Sequence, residues 1–194
     1  RFPTAVLIFR RRKWADVGAI TLDDVFGGQL AIEHLIDTGH RNIGLISGPP
    51  ISLSSYGRQE GYQAALSQAQ IPINENWIMH CHPGVEAGQD TALELLKSNP
   101  ELTALFCHND LVAVGALQAC AMLGLQVPED IAIIGYDDIR LAGLVSPSLT
   151  TLRIPRTDIG TQAMQMLLRQ MTDESVEPEE FYLQPELIVR ESAP

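Results

Sequence analysis

An α/β protein with parallel sheets flanked by helices is what this sequence predicts, on two observations. Short apolar runs alternate with amphipathic stretches along the whole chain, the order that a parallel sheet with crossover helices requires. The runs are nearly continuous and rich in β-branched residues, as in Ile131-Ala132-Ile133-Ile134, which suits strands buried on both faces.

Taken in order, strands are expected at residues 5–9, 42–47, 77–81, 103–107, 131–135 and 149–154. A first helix over about 26–38 pairs Ala31 with Leu35 and Ile32 with Ile36 at four-residue spacing and stops at Gly39, which can take the left-handed capping conformation. A second follows Gly57. A third over 85–97 carries Ala92, Leu95 and Leu96 on one stripe and ends before Pro100. The fourth, capped by Asn109, aligns Ala113, Ala116, Leu117 and Cys120 and stops at Gly124. A fifth opens at Pro155, a favoured first-turn residue, with Ile159, Ala163, Met166 and Leu167 on one face. Residues 173–180 are acidic and aperiodic and read as a surface connection; residues 180–190 return to strand-like alternation.

The 194 residues suffice for one core or two small lobes. No apolar run approaches the roughly 18 residues that span a bilayer, and residues 5–9 are too short for the apolar part of a signal peptide. No membrane anchor is expected. Thirteen basic against 24 acidic residues give a formal charge of −11, which repels a polyanion. This stretch is not expected to bind DNA by itself, and the basic run at residues 10–13 reads as a solvated loop. Three cysteines, Cys81, Cys107 and Cys120, are an odd number scattered through apolar segments. Buried thiols in a reducing compartment are expected, not a disulfide framework.

In an open parallel sheet, ligands bind beyond the carboxyl ends of the strands, where loops diverge and helix N-termini point outward. There the chain places Ser47-Gly48-Pro49-Pro50 with a polar loop from Ser52 to Arg58, then His108-Asn109-Asp110, then Tyr136-Asp137-Asp138. Carboxylate, amide, hydroxyl and guanidinium groups on rigid strand ends suit a polyhydroxylated or otherwise polar small molecule. Each has a plainer role as well: Asn109 and Asp110 can serve only the helix they open, and Asp137 only a turn. Arg58 is expected to open its helix, where a cation opposes the dipole and needs an anionic or hydroxylated partner, or a salt bridge. His80-Cys81-His82 puts two imidazoles on one strand face, but a tetrahedral metal site needs further ligands at defined spacing. Asp23-Asp24 and Asp137-Asp138 are adjacent carboxylates, which point opposite ways on an extended chain. No nucleophile elbow, P-loop or dinucleotide fingerprint is present, so neither an enzyme nor a cofactor is expected.

Several segments together resemble the LacI/GalR repressor family. Residues 24–48 are similar to its helix, Gly-His-Arg turn and following strand. Arg58 with Gly61-Tyr62, Asn109-Asp110 with Ala113, Gly115 and Ala116, the stretch from Val127 to Asp138, Leu149-Thr150-Thr151-Leu152 and the Arg190-Glu191-Ser192 ending match its other signatures. The resemblance covers almost the whole chain. It implies a two-lobed periplasmic-binding-protein-like fold with effector held in the interlobe cleft. Residues 41–145 and 180–194 would form the C-terminal lobe, and residues 1–40 and 146–179 an incomplete N-terminal lobe, the helix-turn-helix headpiece being absent. It further implies a cytoplasmic homodimeric repressor that meets operator DNA only through that headpiece. By matching position, Arg58, Asn109 and Asp137 would hold a sugar or nucleoside, with Asp110, Ser52 and Ser54 lining the same cleft. Ser52 stands where the purine-responsive member has Arg, and Pro83 where several members place an aromatic platform, departures that weigh against a purine base. Periplasmic sugar-binding transport receptors share the fold; the unpaired cysteines and the Arg-Glu-Ser ending weigh against them. An enzyme acting on a sugar, with Asp137 or Asp110 as general base, would need a partner acid.

Overall fold

The computed structural model describes residues 5–8, 17–172 and 179–194. The end of the first expected strand, the basic run at 10–13 and most of the 173–180 connection lie outside the described residues. The chain divides into two compact units, Arg1–Asp23 with Ile154–Pro185, and Asp24–Arg153 with Glu186–Pro194.

The smaller unit contains β1 (Val6–Ile8), β2 (Gly18–Leu22), α5 (Arg156–Thr172) and β8 (Glu180–Leu183). Its three strands run parallel in the order β1-β2-β8. Sequence reasoning missed β2, whose Gly18-Ala19 start lacks the β-branched signal. A Cβ on Gly18 would sit 2.6 Å from Met166 Cε of α5, the movable end of a flexible side chain. As expected, α5 buries Ile159, Ala163 and Met166, which pack with Ile20.

The larger unit contains α1 (Asp24–Asp37), β3 (Ile43–Ser47), α2 (Leu53–Gln68), β4 (Ile78–His80), α3 (Val85–Ser98), β5 (Ala104–Cys107), α4 (Asp110–Leu123), β6 (Ala132–Asp137), β7 (Thr150–Arg153) and β9 (Glu186–Ile188). Its six-stranded sheet has the order β4-β3-β5-β6-β7-β9, parallel except for the antiparallel β9. The central strands are buried along their length, as their continuous apolar runs require. Trp77 belongs to a short 3-10 turn preceding β4 rather than to the strand, and the 180–190 stretch is two strands, interrupted at Gln184-Pro185. Gly39 and Gly124 take positive φ after α1 and α4, the left-handed conformation that lets a helix terminate.

The chain crosses between units after residues 23, 153 and 185, whereas the sequence placed the crossings after 40, 145 and 179. Two packings account for the difference. Thr150 and Thr151 pair with Ile134 and Gly135 of β6, which keeps β7 in the larger unit. The α1 helix lies against α2 at glycine-sized separation: a Cβ on Gly28 would overlap the Arg58 carbonyl, and one on Gly61 would overlap the Val25 carbonyl and lie 2.8 Å from Gln29 N.

The Leu-Thr-Thr segment and the C-terminal residues are bonded to one another. Ser192 Oγ donates to Ile133 O at 2.6 Å and accepts from Thr150 N at 2.9 Å. Thr150 Oγ1 accepts from Arg190 N at 2.8 Å and has the Ala193 carbonyl 2.9 Å away. Two sequence signatures forty residues apart thus satisfy each other's buried polar groups, which would otherwise cost about 1–3 kcal/mol each.

Helix propensity favours Ala over Gly by about 1 kcal/mol, so the close helix contact makes a sign test. Gly61→Ala is expected to lower stability by about 2 kcal/mol, since overpacking against rigid backbone outweighs propensity. Gly160→Ala, where an added Cβ meets nothing within 4 Å, is expected to raise it by about 0.5–1 kcal/mol. Urea unfolding of both variants checks the pair; a stabilised Gly61→Ala would contradict the packing described.

Candidate functional site

At the carboxyl ends of β3, β5 and β6, the larger unit gathers the polar segments picked out in the sequence. The organising side chain is Arg58. The α2 helix begins at Leu53 with Ser52 as N-cap, not after Gly57 as expected, so Arg58 lies in the second turn and the argument from an opposed dipole does not apply. The salt-bridge explanation does: Arg58 Nε donates to Asp24 Oδ1 at 2.9 Å. Asp24 is the first residue of α1, and it reaches α2 because Gly57 has no side chain; a Cβ there would sit 2.8 Å from Asp24 Cβ.

Arg58 is only 6% exposed, and a guanidinium so placed must be paired and hydrogen-bonded. Its Nη1 donates to the His108 carbonyl, and its Cζ stacks 3.5 Å from the centroid of Tyr136, a cation–π contact strengthened by desolvation. Its Nη2 lies 4.0 Å from Asp137 Oδ1. That is a charge contact beyond hydrogen-bond length, so the Nη2 edge can still donate to a ligand oxygen.

Asp137 ends β6 with φ +105°. Asn109 caps α4 as expected, its Oδ1 accepting from Val112 N at 3.0 Å; the amide NH2 remains as a donor. Ser52 and Ser54, both half-buried, have their hydroxyls 2.8 Å apart at the start of α2, and Ser54 precedes Arg58 by one helical turn, on the same face. Asp110 is different. It is fully buried, with Oδ1 accepting from the Thr151 hydroxyl at 2.5 Å and Oδ2 from Ile139 N at 2.7 Å. Both oxygens therefore tie α4 to β7 and to the turn after β6. Burial, with the Asp137 and Asp138 charges adding to it, pushes its carboxyl up to about 6 despite these bonds.

Sequence reasoning missed Asp24 and Thr151 as parts of this arrangement, and placed Tyr136 at the strand ends without a role for its ring. The signal for Asp24 was available: Gly28, Gly57 and Gly61 are the small residues at which two helices approach. His108 is also drawn in. Burial, reinforced by the Arg58 charge, lowers it to about 3, so it stays neutral, and its Nδ1 has no partner among the described residues.

His80 Nδ1 lies 3.0 Å from Gly48 O, and among the described residues no three His, Cys, Asp or Glu side chains are grouped to hold a metal ion. Cys107 and Cys120 are buried thiols and Cys81 is half-buried; burial pushes Cys120 up to about 12 and Cys107 well above the ordinary range. No helix among the described residues is long and apolar enough to cross a membrane.

The fold and this strand-end arrangement define a class: the periplasmic binding protein-like domain, whose family pattern matches residues 32–193. Within that class the chain belongs to the LacI/GalR family of transcriptional regulators. It is similar to the crystal structure of a LacI-family regulatory protein from Chloroflexus aggregans, with TM-score 0.90 and 33% identity, covering 97% of this chain and 68% of that one. It is 39% identical over 170 residues to the ribose operon repressor of Haemophilus influenzae, covering 88% of this chain and 51% of that protein. It is 38% identical over 179 residues to the transcriptional repressor PurR of Escherichia fergusonii, covering 92% and 52%. The chain thus spans about half the length of these two curated relatives.

The two buried titrating groups have opposite effects on stability. His108, lowered from 6.5 to about 3, stabilises the fold while neutral, and that contribution is lost as pH falls from 6.5 toward 3. Asp110, raised from 3.8 to about 6, opposes folding when charged, so stability is regained as pH falls from 6 toward 3.8. The unfolding free energy of wild type minus His108→Gln is expected to shrink by about 1.4 kcal/mol per pH unit on acidification, and that of wild type minus Asp110→Asn to grow at a similar slope. Urea unfolding at intervals from pH 7 to about pH 4 measures both slopes, and parallel curves would reject them.

Proposed function

We propose that this chain is the effector-sensing and dimerisation core of a LacI/GalR-like repressor. It binds a small polar metabolite, a sugar or sugar derivative, at the carboxyl ends of β3, β5 and β6. Binding controls the operator affinity of a helix-turn-helix headpiece elsewhere in the full-length protein. The observation that carries this reading is the Arg58 Nη2 edge beside Asp137, with the Asn109 amide on the neighbouring strand end: a donor and an acceptor held rigidly for the vicinal hydroxyls of a sugar. In this reading Arg58, Asn109 and Asp137 contact the ligand, Ser52 and Ser54 line its approach, and Asp110 acts from behind. The names of the relatives support both parts, a repressor and, for one of them, a ribose operon.

The protein performs no turnover in this scheme. Ligand affinity differs between the operator-bound and free states, and that difference is the switch. The full protein is a cytoplasmic homodimer, consistent with free buried thiols, and one that needs paired headpieces to span operator half-sites.

A thermal-shift screen with D-ribose, hexoses, polyols, nucleosides and purine bases tests the proposal. A ligand at a hundred times its dissociation constant adds about 2.7 kcal/mol of stability. A sugar or polyol is expected to respond, and Asp137→Ala to abolish the response while leaving the fold intact, since a charged hydrogen bond is worth about 1.5–3 kcal/mol. A response from purine bases alone, or an unchanged one in Asp137→Ala, would count against the site. Sedimentation of the full-length protein is expected to show a dimer; a monomer at micromolar concentration would remove the dimerisation role.

A further inference from the structure

Asp138 follows the candidate ligand carboxylate, and the two residues have φ of +47° and +105°. Residues with side chains rarely adopt such conformations, which persist only where the surroundings over-determine them. Backbone bonds restrain the turn, Asp138 N to Thr151 Oγ1 at 3.4 Å and Ile139 N to Asp110 Oδ2 at 2.7 Å, and the Asp138 side chain adds a further restraint. Its Oδ1 accepts from Arg190 Nη2 and its Oδ2 from Arg153 Nε, each at 2.7 Å. With its side chain 10% exposed, this carboxylate differs from the exposed ion pairs that contribute little. Burial alone would raise it, but the bonds and charges of Arg190 and Arg153 hold it below the ordinary range.

The far ends of these bonds lie at informative positions. Arg153 is the last residue of the larger unit before the chain passes into the smaller one, and Glu186 is the first after it returns. Arg153 Nη1 lies 3.7 Å from Glu186 Oε2. Arg190 also donates through Nη1 to Leu149 O at 2.7 Å, bracing the start of the strand that ends in Arg153. One carboxylate therefore joins the ligand-facing turn to two of the three places where the chain changes unit.

We propose that Asp138 is a positioning residue: it holds Asp137 in its ligand-facing conformation and couples that turn to the crossings at 153–154 and 185–186, so that occupancy of the site by a small polar ligand is transmitted to them. This rests on the reading of Asp137 as a ligand contact. The chain that senses the ligand and the chain that changes unit are thus linked through side chains rather than through the sheet alone.

Hydrogen exchange of the ligand-free chain tests the clamp. Asp138→Asn keeps the side-chain shape and tolerates positive φ while removing the charge. It is expected to accelerate amide exchange at residues 137–140 and 186–188 by about tenfold or more, with β3 and β5 amides staying within about twofold of wild type. Arg153→Met, at a half-exposed position, is expected to free residues 186–188 while 137–140 stay tied through Arg190. Unchanged exchange in either segment of Asp138→Asn would overturn the proposal. So would uniform acceleration throughout the unit, which would make Asp138 a general stabiliser. Asp137→Ala separates this from the functional reading: it is expected to lose D-ribose binding while residues 186–188 exchange as in wild type. Retained ribose binding in Asp137→Ala would retire Asp137 as a contact, whereas the exchange pattern of Asp138→Asn judges the clamp without any ligand.

Discussion

Burying the guanidinium of Arg58 is the constraint from which the arrangement of the larger unit follows. A charge taken out of water loses several kcal/mol of solvation, returned only if partners with good geometry surround it. Those partners come from three separate elements: Asp24 from α1, the His108 carbonyl from the loop after β5, and the Tyr136 ring from β6. Each then inherits a restriction. Asp24 sits in the first turn of α1, where the helix dipole also favours an acid. His108 is kept neutral, and the Tyr136 hydroxyl is pushed far above its ordinary range, chiefly by burial.

Such convergence is possible only if α1 and α2 touch along their backbones. Gly28, Gly57 and Gly61 allow it, and the same contact takes α1 into the larger unit although it precedes β3 in the chain. Packing and electrostatics are therefore not separable here: a methyl group on Gly57 would push Asp24 away from the cation it neutralises. The remaining Nη2 edge of Arg58 is left for Asp137 and for whatever joins it. A side chain immobilised on all its other edges presents that edge with little entropy left to lose on binding.

The α/β class, most strands and all five helices were legible in the sequence because buried parallel strands and amphipathic helices carry strong periodic signals. The strand at Gly18–Leu22 was not, because its Gly18-Ala19 start carries no β-branched signal. The start of α2 was misplaced because the helix was taken to follow Gly57, whereas Gly57 lies inside it at the close approach to Asp24. Among site residues, Asn109 as a cap could be read locally, since the cap bond spans three residues. The inward turn of Asp110 could not, because its partners Thr151 and Ile139 are 41 and 29 residues distant. Local chemistry is visible in a sequence; which of two nearby carboxylates faces outward is decided by tertiary contacts.

The balance of charge around the strand ends bears on the kind of ligand the site suits. Among the described residues, Asp24, Asp110, Asp137, Asp138 and Glu186 bring five carboxylates to this network, with the guanidinium groups of Arg58, Arg153 and Arg190 among them. Asp110 is the one burial drives toward neutrality at mildly acidic pH. An anionic ligand would add negative charge beside Asp137. A neutral polyhydroxylated molecule asks only for donors and acceptors. In the proposed reading, the Arg58 edge, the Asn109 amide, the Asp137 carboxylate and the paired hydroxyls of Ser52 and Ser54 supply both kinds.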